Sequence, residues 1–576
     1  MQAAMQWTMI LAIGLAMAAA QAPEKTSAAA SSVSEPGFKI GGRVVDVQNG
    51  SPVAHAQVSV APVTAREDLR TTDSDDNGAF LFTGLPAGKY ALNVQRRGYV
   101  TQAYLQHDVH STSIAVGPGL ESENIVFPLG REAAITGHVT DDFGEAVRDA
   151  RVMLFQAGLQ AGQRAVFSRG AAVTNDLGMY HFGHLPPGQY YVAVMTSPWY
   201  AHSVPGAIGF ISSPPVTADN SVRFNPPQQE KNPALDVAFP VTFYPSATAS
   251  GDATRISPAP GERFVADISL RAVASLHLRV PVNAGGHDAE DNRNVRVRQQ
   301  LFDGVVVPVQ AAGQKAGDTA MAVAGLAPGH YIVDVISSGE GGPVSTQSLE
   351  IDALSDGEVG AGKEREMTPV SGSVKPEAGS KAPLPNAVLL REKKTEMRYI
   401  ARVAPNGDFD FRQPIPAGDY VLDVADARGT TVKRISATTP ARDETPHGET
   451  VRGQSVKING KAPINLTVEL TDALGRIEGV VLRENKPAAA VLVLLVPQDP
   501  ADNPSLFRRD QSDSDGTFTL GSVLPGKYTL VAIEKGWDLE WTRPEVLKPY
   551  LRYGEAVSVE PRGVQQIKIQ AQPISQ

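Results

Sequence analysis

Five stretches of the chain alternate apolar and polar residues with period two, and each begins directly after a turn phrase. Tyr90, Leu92 and Val94 share one face, as do Tyr190, Val192 and Val194, then Tyr331, Val333 and Val335, then Tyr420, Leu422 and Val424, and finally Tyr528, Leu530 and Ala532. Such alternation predicts a strand with one face on a core. The phrases before them read LPAGKY from Leu85, LPPGQY from Leu185, LAPGHY from Leu326, IPAGDY from Ile415 and VLPGKY from Val523. Pro presets φ near about −65° and Gly tolerates the reversal, so a tight turn feeds each strand. The tyrosines are spaced by 100, 141, 89 and 108 residues, intervals that suit one β-sandwich each rather than a short solenoid repeat.

Two further phrases recur upstream. An Asx- and Gly-containing turn followed by alternating aromatics appears as SDDNGAFLF from Ser74, TNDLGMYHF from Thr174, APNGDFDF from Ala404 and SDSDGTFTL from Ser512, which predicts a hairpin. Opening strands read IGGRVVD from Ile40, ITGHVTD from Ile135, VSGSVKP from Val370 and IEGVVLR from Ile477. The third unit departs most: it starts near Leu276 and has Gly317-Asp318-Thr319-Ala320 in place of the hairpin phrase. The predicted units are 37–130, 131–272, 273–366, 367–473 and 474–576, the second lengthened by a Pro- and Ser-rich excursion over 203–260. They are called modules 1 to 5 below. The expected fold class is all-β, a tandem array of about five seven-stranded Greek-key sandwiches.

Composition narrows the function classes. Among 576 residues, 52 Lys plus Arg face 62 Asp plus Glu, a formal charge of −10, which argues against phosphate-tracking nucleic-acid binding. Gly (53) and Pro (43) are abundant, as many short strands and turns require. Cys is absent, so disulfides, thiolate nucleophiles and Cys-ligated metals are excluded. Trp7 to Ala20 form an uncharged apolar run, too short for a membrane span but suited to a secretory signal over residues 1–20. Residues 21–36 then read as a flexible linker. The expected location is secreted, periplasmic or cell-surface.

Taken together, the Gly-x-Val opening strand, the Asp-rich turn with Gly-x-Phe and the Leu-Pro-x-Gly-x-Tyr phrase resemble the carboxypeptidase regulatory-like domain. That resemblance implies transthyretin-like sandwiches, similar to starch-binding-like domains, with carbohydrate as the favoured ligand class and no cofactor. Pilin-type sandwiches that form a Lys–Asn isopeptide bond use a similar Gly-x-Tyr strand but carry a Glu four residues after the Tyr. Here those positions are Val94, Val194, Val335, Val424 and Ala532, so self-crosslinking is not expected.

Catalytic signals are thin. The His287-to-Glu290 spacing sits in a polar, turn-rich loop without the helix that would fix a zinc site. His107 with His110, and His181 with His184, read as turn or surface histidines. Asp73, Asp75 and Asn77 reproduce the start of a calcium loop, but the twelfth position is Gly84 rather than Glu; Asp513 and Asp515 are a thinner version. There is no Gly-x-Ser-x-Gly elbow and no phosphate loop. The best binding candidates are aromatics in loops: Trp199 and Tyr200, and Trp537, Trp541, Tyr550 and Tyr553. A flat ring can stack on a sugar or anchor a protein partner. The sequence therefore points to an exported, noncatalytic binding scaffold, with polysaccharide or other envelope proteins as partners. The alternatives are a structural spacer or protein-contact module, and, more remotely, a divergent zinc metallopeptidase.

Overall fold

The computed structural model describes residues 37–574 except 161, 202–231, 283–291, 317–318, 339–344, 360–363, 381–382, 427–428, 439–447, 452–453, 461 and 501–502. The segments expected as signal (1–20) and linker (21–36), and His287 to Glu290, lie outside the described residues.

The fold is all-β, as the alternation predicts, and the apolar faces gather into separate cores. Ile40 to Leu129 contribute one, Ala133 to Leu270 a second, Leu276 to Val359 a third, Val370 to Leu470 a fourth and Ile477 to Ile569 a fifth. In module 1 the layers are Ala79–Leu85, Phe38–Asp46 and Ile125–Leu129 on one side. On the other lie Arg70–Asp73, Gln57–Pro62, Gly88–Gln95 and Gln102–Ala103, with Ile114–Val116 also paired to Gly88–Gln95. The opening strand runs antiparallel to the strand just before the turn phrase and parallel to the closing strand, and this pattern recurs in all five modules. In module 5 the closing strand Val564–Gln572 pairs in both layers and joins them at a corner.

The recurring sequence phrases have physical causes. Each motif tyrosine turns its hydroxyl back onto the carbonyl four residues earlier: Tyr90 donates to Pro86, Tyr190 to Pro186, Tyr331 to Ala327, Tyr420 to Pro416 and Tyr528 to Leu524, at 2.6–3.0 Å. The ring fills the core while the hydroxyl ties down the turn that begins its strand. The opening-strand glycine is required by close approach. A Cβ on Gly42, Gly137, Gly372 or Gly479 would lie 2.0–2.2 Å from a carbonyl oxygen of the closing strand or of the segment beside it. Module 3 has Val280 there, and its parallel closing partner is only the two-residue strand Gly357–Glu358.

Side-chain contacts join each module to the next. Between modules 1 and 2, buried Asp46 accepts from Arg131 Nε at 2.7 Å and from the Tyr99 hydroxyl at 3.1 Å. Burial by itself raises the Asp46 carboxyl, but the Arg131, Gln48 and Tyr99 hydrogen bonds outweigh it and hold it below the ordinary carboxylate value. Modules 2 and 3 share an apolar cluster of Met153, Phe155 and Phe243 with Leu301, Val305 and Val307. Modules 3 and 4 meet through Lys394 with Glu350, and Arg365 of the connecting segment pairs with Glu392. Modules 4 and 5 meet through Arg562 and Asp472 at 2.8 Å.

Module 5 folds back on modules 1 and 2. Its Asp513–Ser514 turn grips the segment before and within Ile114–Val116. Ser113 N–H donates to Asp513 Oδ1 (2.8 Å), Ser514 N–H donates to the Ser113 carbonyl (3.0 Å), and Ala115 N–H donates to Ser514 Oγ (2.8 Å). Gln511 Nε2 donates to the Leu105 carbonyl at 2.7 Å, and Arg509 pairs with Asp108 at 2.6 Å.

Candidate functional site

The sequence places six loop aromatics in two groups, and the structure separates them. In module 5, the outer face of the strands Leu492–Pro497 and Gly526–Ile533 is as apolar as the inner one, and the segment after Ile533, with its helix Pro544–Leu551, covers it. Trp541 and Tyr550 are buried in that second core, at 6% and 2% exposure. The Trp541 ring meets Phe507 at 5.1 Å and lies under Gly162, the tip of the module 2 hairpin; a Cβ on Gly162 would sit 2.3 Å from the indole. Thr542 Oγ1 donates to the Gly162 carbonyl at 2.8 Å, and Arg164 pairs with Glu540 at 3.4 Å. Trp537 is half-buried against module 1, stacked on His107 at 5.2 Å with 5° between the planes and 5.5 Å from His110. The expectation of exposed rings therefore holds in module 5 for Tyr553, 75% exposed, and not for Trp541 or Tyr550. Their faces are taken by packing within and between modules.

In module 2 the expectation of exposure holds for Trp199. This ring is 84% exposed and stands edge-on to Tyr200 at 5.7 Å. Tyr200 in turn meets Phe143 at 6.4 Å, and Phe143 is 74% exposed. Phe143 comes from the turn Asp141-Asp142-Phe143-Gly144, where the Asp141 carboxylate accepts from the N–H groups of Phe143 and Glu145 at 3.0 and 2.9 Å. That side chain fixes the turn and sets Phe143 outward. Partial burial, with Asp142 and Asp141 nearby, raises the Tyr200 hydroxyl above its ordinary value. Phe143, Trp199 and Tyr200 form an aromatic surface bordered by carboxylate oxygens. Phe143 is not among the sequence candidates; the available signal is an aromatic at a turn position where module 1 has Gln48-Asn49-Gly50.

The acidic turn in module 1 acts as a turn. Asp75 Oδ1 accepts from the N–H groups of Asn77 (2.9 Å) and Ala79 (2.7 Å), while Asp73 lies at the end of the strand Arg70–Asp73. Asp513 of the thinner version holds Ser113 and Lys89 of module 1. Among the described residues, no group of three or more His, Cys, Asp or Glu is placed to hold a metal ion. His184 pairs with Glu132 at 2.8 Å. No helix among the described residues is long and apolar enough to cross a membrane.

Residues 39–125 match the family model described as carboxypeptidase regulatory-like domain. Module 1 is a carboxypeptidase regulatory-like domain. The other modules repeat its pattern of an opening strand with one antiparallel and one parallel neighbour. No curated protein matches the chain. Among solved structures, the Bacillus anthracis TIE protein aligns at 12% identity and a TM-score of 0.16, over 95% of this chain and 75% of that one. A streptococcal ancillary pilin aligns at 10% and 0.19, over 52% and 99%. BcpA, the major pilin subunit of Bacillus cereus, aligns at 10% and 0.14, over 76% and 100%. At such scores the likeness says nothing about what this chain binds.

Proposed function

We propose that this protein is a noncatalytic, exported scaffold that binds carbohydrate through Phe143, Trp199 and Tyr200. The observation that carries the reading is Trp199, an indole left 84% exposed beside the half-buried ring of Tyr200. Leaving apolar rings in water has no value to folding, whereas each offers a flat face to the apolar side of a sugar. The exposed Asp142 carboxylate lies near the Tyr200 ring, and such oxygens accept from sugar hydroxyls. Export is supported by the apolar run Trp7 to Ala20. Screening the purified protein against a glycan array and titrating the hits by calorimetry tests this. Trp199→Ala and Phe143→Ala each weaken binding by about three- to tenfold, and Trp537→Ala leaves it unchanged. No saturable glycan binding, or binding indifferent to Trp199, ends the carbohydrate reading.

A structural spacer is the second reading, favoured by the pinned junctions at Arg131 and Arg365. It predicts envelope protein partners in cross-linked pull-downs and no glycan affinity. Stoichiometric zinc in the purified protein would return the peptidase reading to the front.

A further inference from the structure

We infer that module 4 accepts an acidic, extended peptide as an added β-strand. The inference is independent of the carbohydrate reading and lies on a different module.

In modules 1 and 5 an arginine closes the gap between the two layers. In module 1, Arg70 pairs with Val60, which pairs with Leu92, the residue two after the motif tyrosine. In module 5, Arg508 pairs with Leu495, which pairs with Leu530. These arginines are structurally equivalent, and both cross to the facing edge. Arg70 Nη1 donates to the Thr83 and Gly84 carbonyls at 3.3 and 3.4 Å, and Arg508 Nε to Ser522 at 3.1 Å. Gly84 and Ser522 both precede the aliphatic residue that opens the turn phrase. In module 4 the equivalent position is Tyr399, which pairs with Leu390 opposite Leu422. Tyr399 turns into the core, 8% exposed. The facing strand is also cut short: it covers only Asp408–Asp410, and regular pairing resumes at Ile415–Pro416 after Pro414.

The result is an open groove of about 840 Å³ between two edge strands, Arg398–Arg402 and Asp408–Asp410. Its floor is the apolar trio Tyr399, Phe409 and Phe411, all buried beneath it. Val403 N–H bonds to Asn386 across the inner side, so by alternation the main-chain groups of Ile400 and Arg402 turn toward the open edge. An unpaired edge with outward N–H and C=O groups is a template for another strand. Side chains specify which one. Arg398, Ile400 and Arg402 are exposed on one face of the edge, Ile400 at 62%. Neither arginine has an ion pair among the described residues. A cross-strand neighbour for each is acidic, and residues between them face the aromatic floor and are apolar. The recognised pattern is acidic, apolar, any, apolar, acidic, which reads the same in either strand direction. Main-chain pairing favours a polypeptide over an acidic polysaccharide, which has no such ladder to offer.

The test uses the full chain and a fluorescein-labelled peptide containing Glu-Val-Thr-Val-Glu, read by anisotropy. Saturable binding is expected. It falls at least about tenfold when Lys replaces both Glu residues, or in the double variant Arg398→Glu with Arg402→Glu, which in turn takes the Lys peptide. N-methylation of the central Thr removes a main-chain donor and abolishes binding. Both arginines are exposed and unpaired, so an unchanged unfolding midpoint shows that the double variant is folded. Trp199→Ala leaves peptide binding intact, which separates this site from the carbohydrate reading. No saturation up to about 1 mM, equal binding of the Lys or N-methylated peptide, or displacement by polygalacturonate with no peptide preference overturns the inference.

Discussion

Trp541 and Trp199 both lie in loops and both meet a second aromatic ring, yet one is sealed and the other is open. The difference is set by what covers each loop. Trp541 has Gly162 of module 2 above it and Phe507 beside it, whereas Trp199, among the described residues, meets Tyr200 at its edge and is 84% exposed. A ring with both faces occupied holds modules together. A ring with a face in water is available to something outside the chain.

Removing each ring should therefore act on different properties. Trp541→Ala takes the indole from a packed core and is expected to cost about 3–5 kcal/mol, measured by denaturant unfolding. Gly162→Val acts on the same contact from module 2: the new side chain meets the indole, and φ at this residue is +79°. A loss of about 1–3 kcal/mol is expected, together with a larger radius of gyration in solution scattering as the seam opens. An unchanged radius would mean that module 5 is not held there.

Asp46→Asn probes a seam closed by charge instead of rings. The folded carboxyl lies below its ordinary value, so its contribution is fully present above the unfolded pKa and lost as pH falls through the folded one. At pH 7 the variant should be less stable by about 1–3 kcal/mol. Below the usual carboxylate range the two proteins should converge, and parallel pH profiles would contradict this. Tyr331→Phe removes one corner hydrogen bond and is expected to cost about 0.5–1.5 kcal/mol, read from the unfolding midpoint. Trp199→Ala comes last, within about 0.5 kcal/mol of the parent in stability. A larger loss would show that its ring packs on something and is not free for a ligand.

How far the sequence foretells these features follows from the distance over which each is determined. The tyrosine corners are local: hydroxyl and acceptor lie four residues apart in every module, so one phrase specifies the whole device. The opening glycines are legible as a pattern, though their cause, a carbonyl about 2 Å from where Cβ would be, is visible only once the closing strand is in place. The surroundings of Trp537 and Trp541 come from His107 and Gly162, in modules far away along the chain, and no local pattern encodes them. Phe143 escapes for a similar reason, since it joins Trp199 and Tyr200 only through the folding of module 2. The module 4 groove becomes legible once strand registers show that Tyr399 stands where Arg70 and Arg508 stand.

The grip of Asp513 and Ser514 on Ser113 has a mechanical meaning. Tension between module 1 and module 5 loads these few hydrogen bonds before it reaches any core. The contact should yield at low force and release slack while every sandwich stays folded, which single-molecule stretching would record as one small early step ahead of five larger ones. A trace without that early step would mean the clasp carries no load.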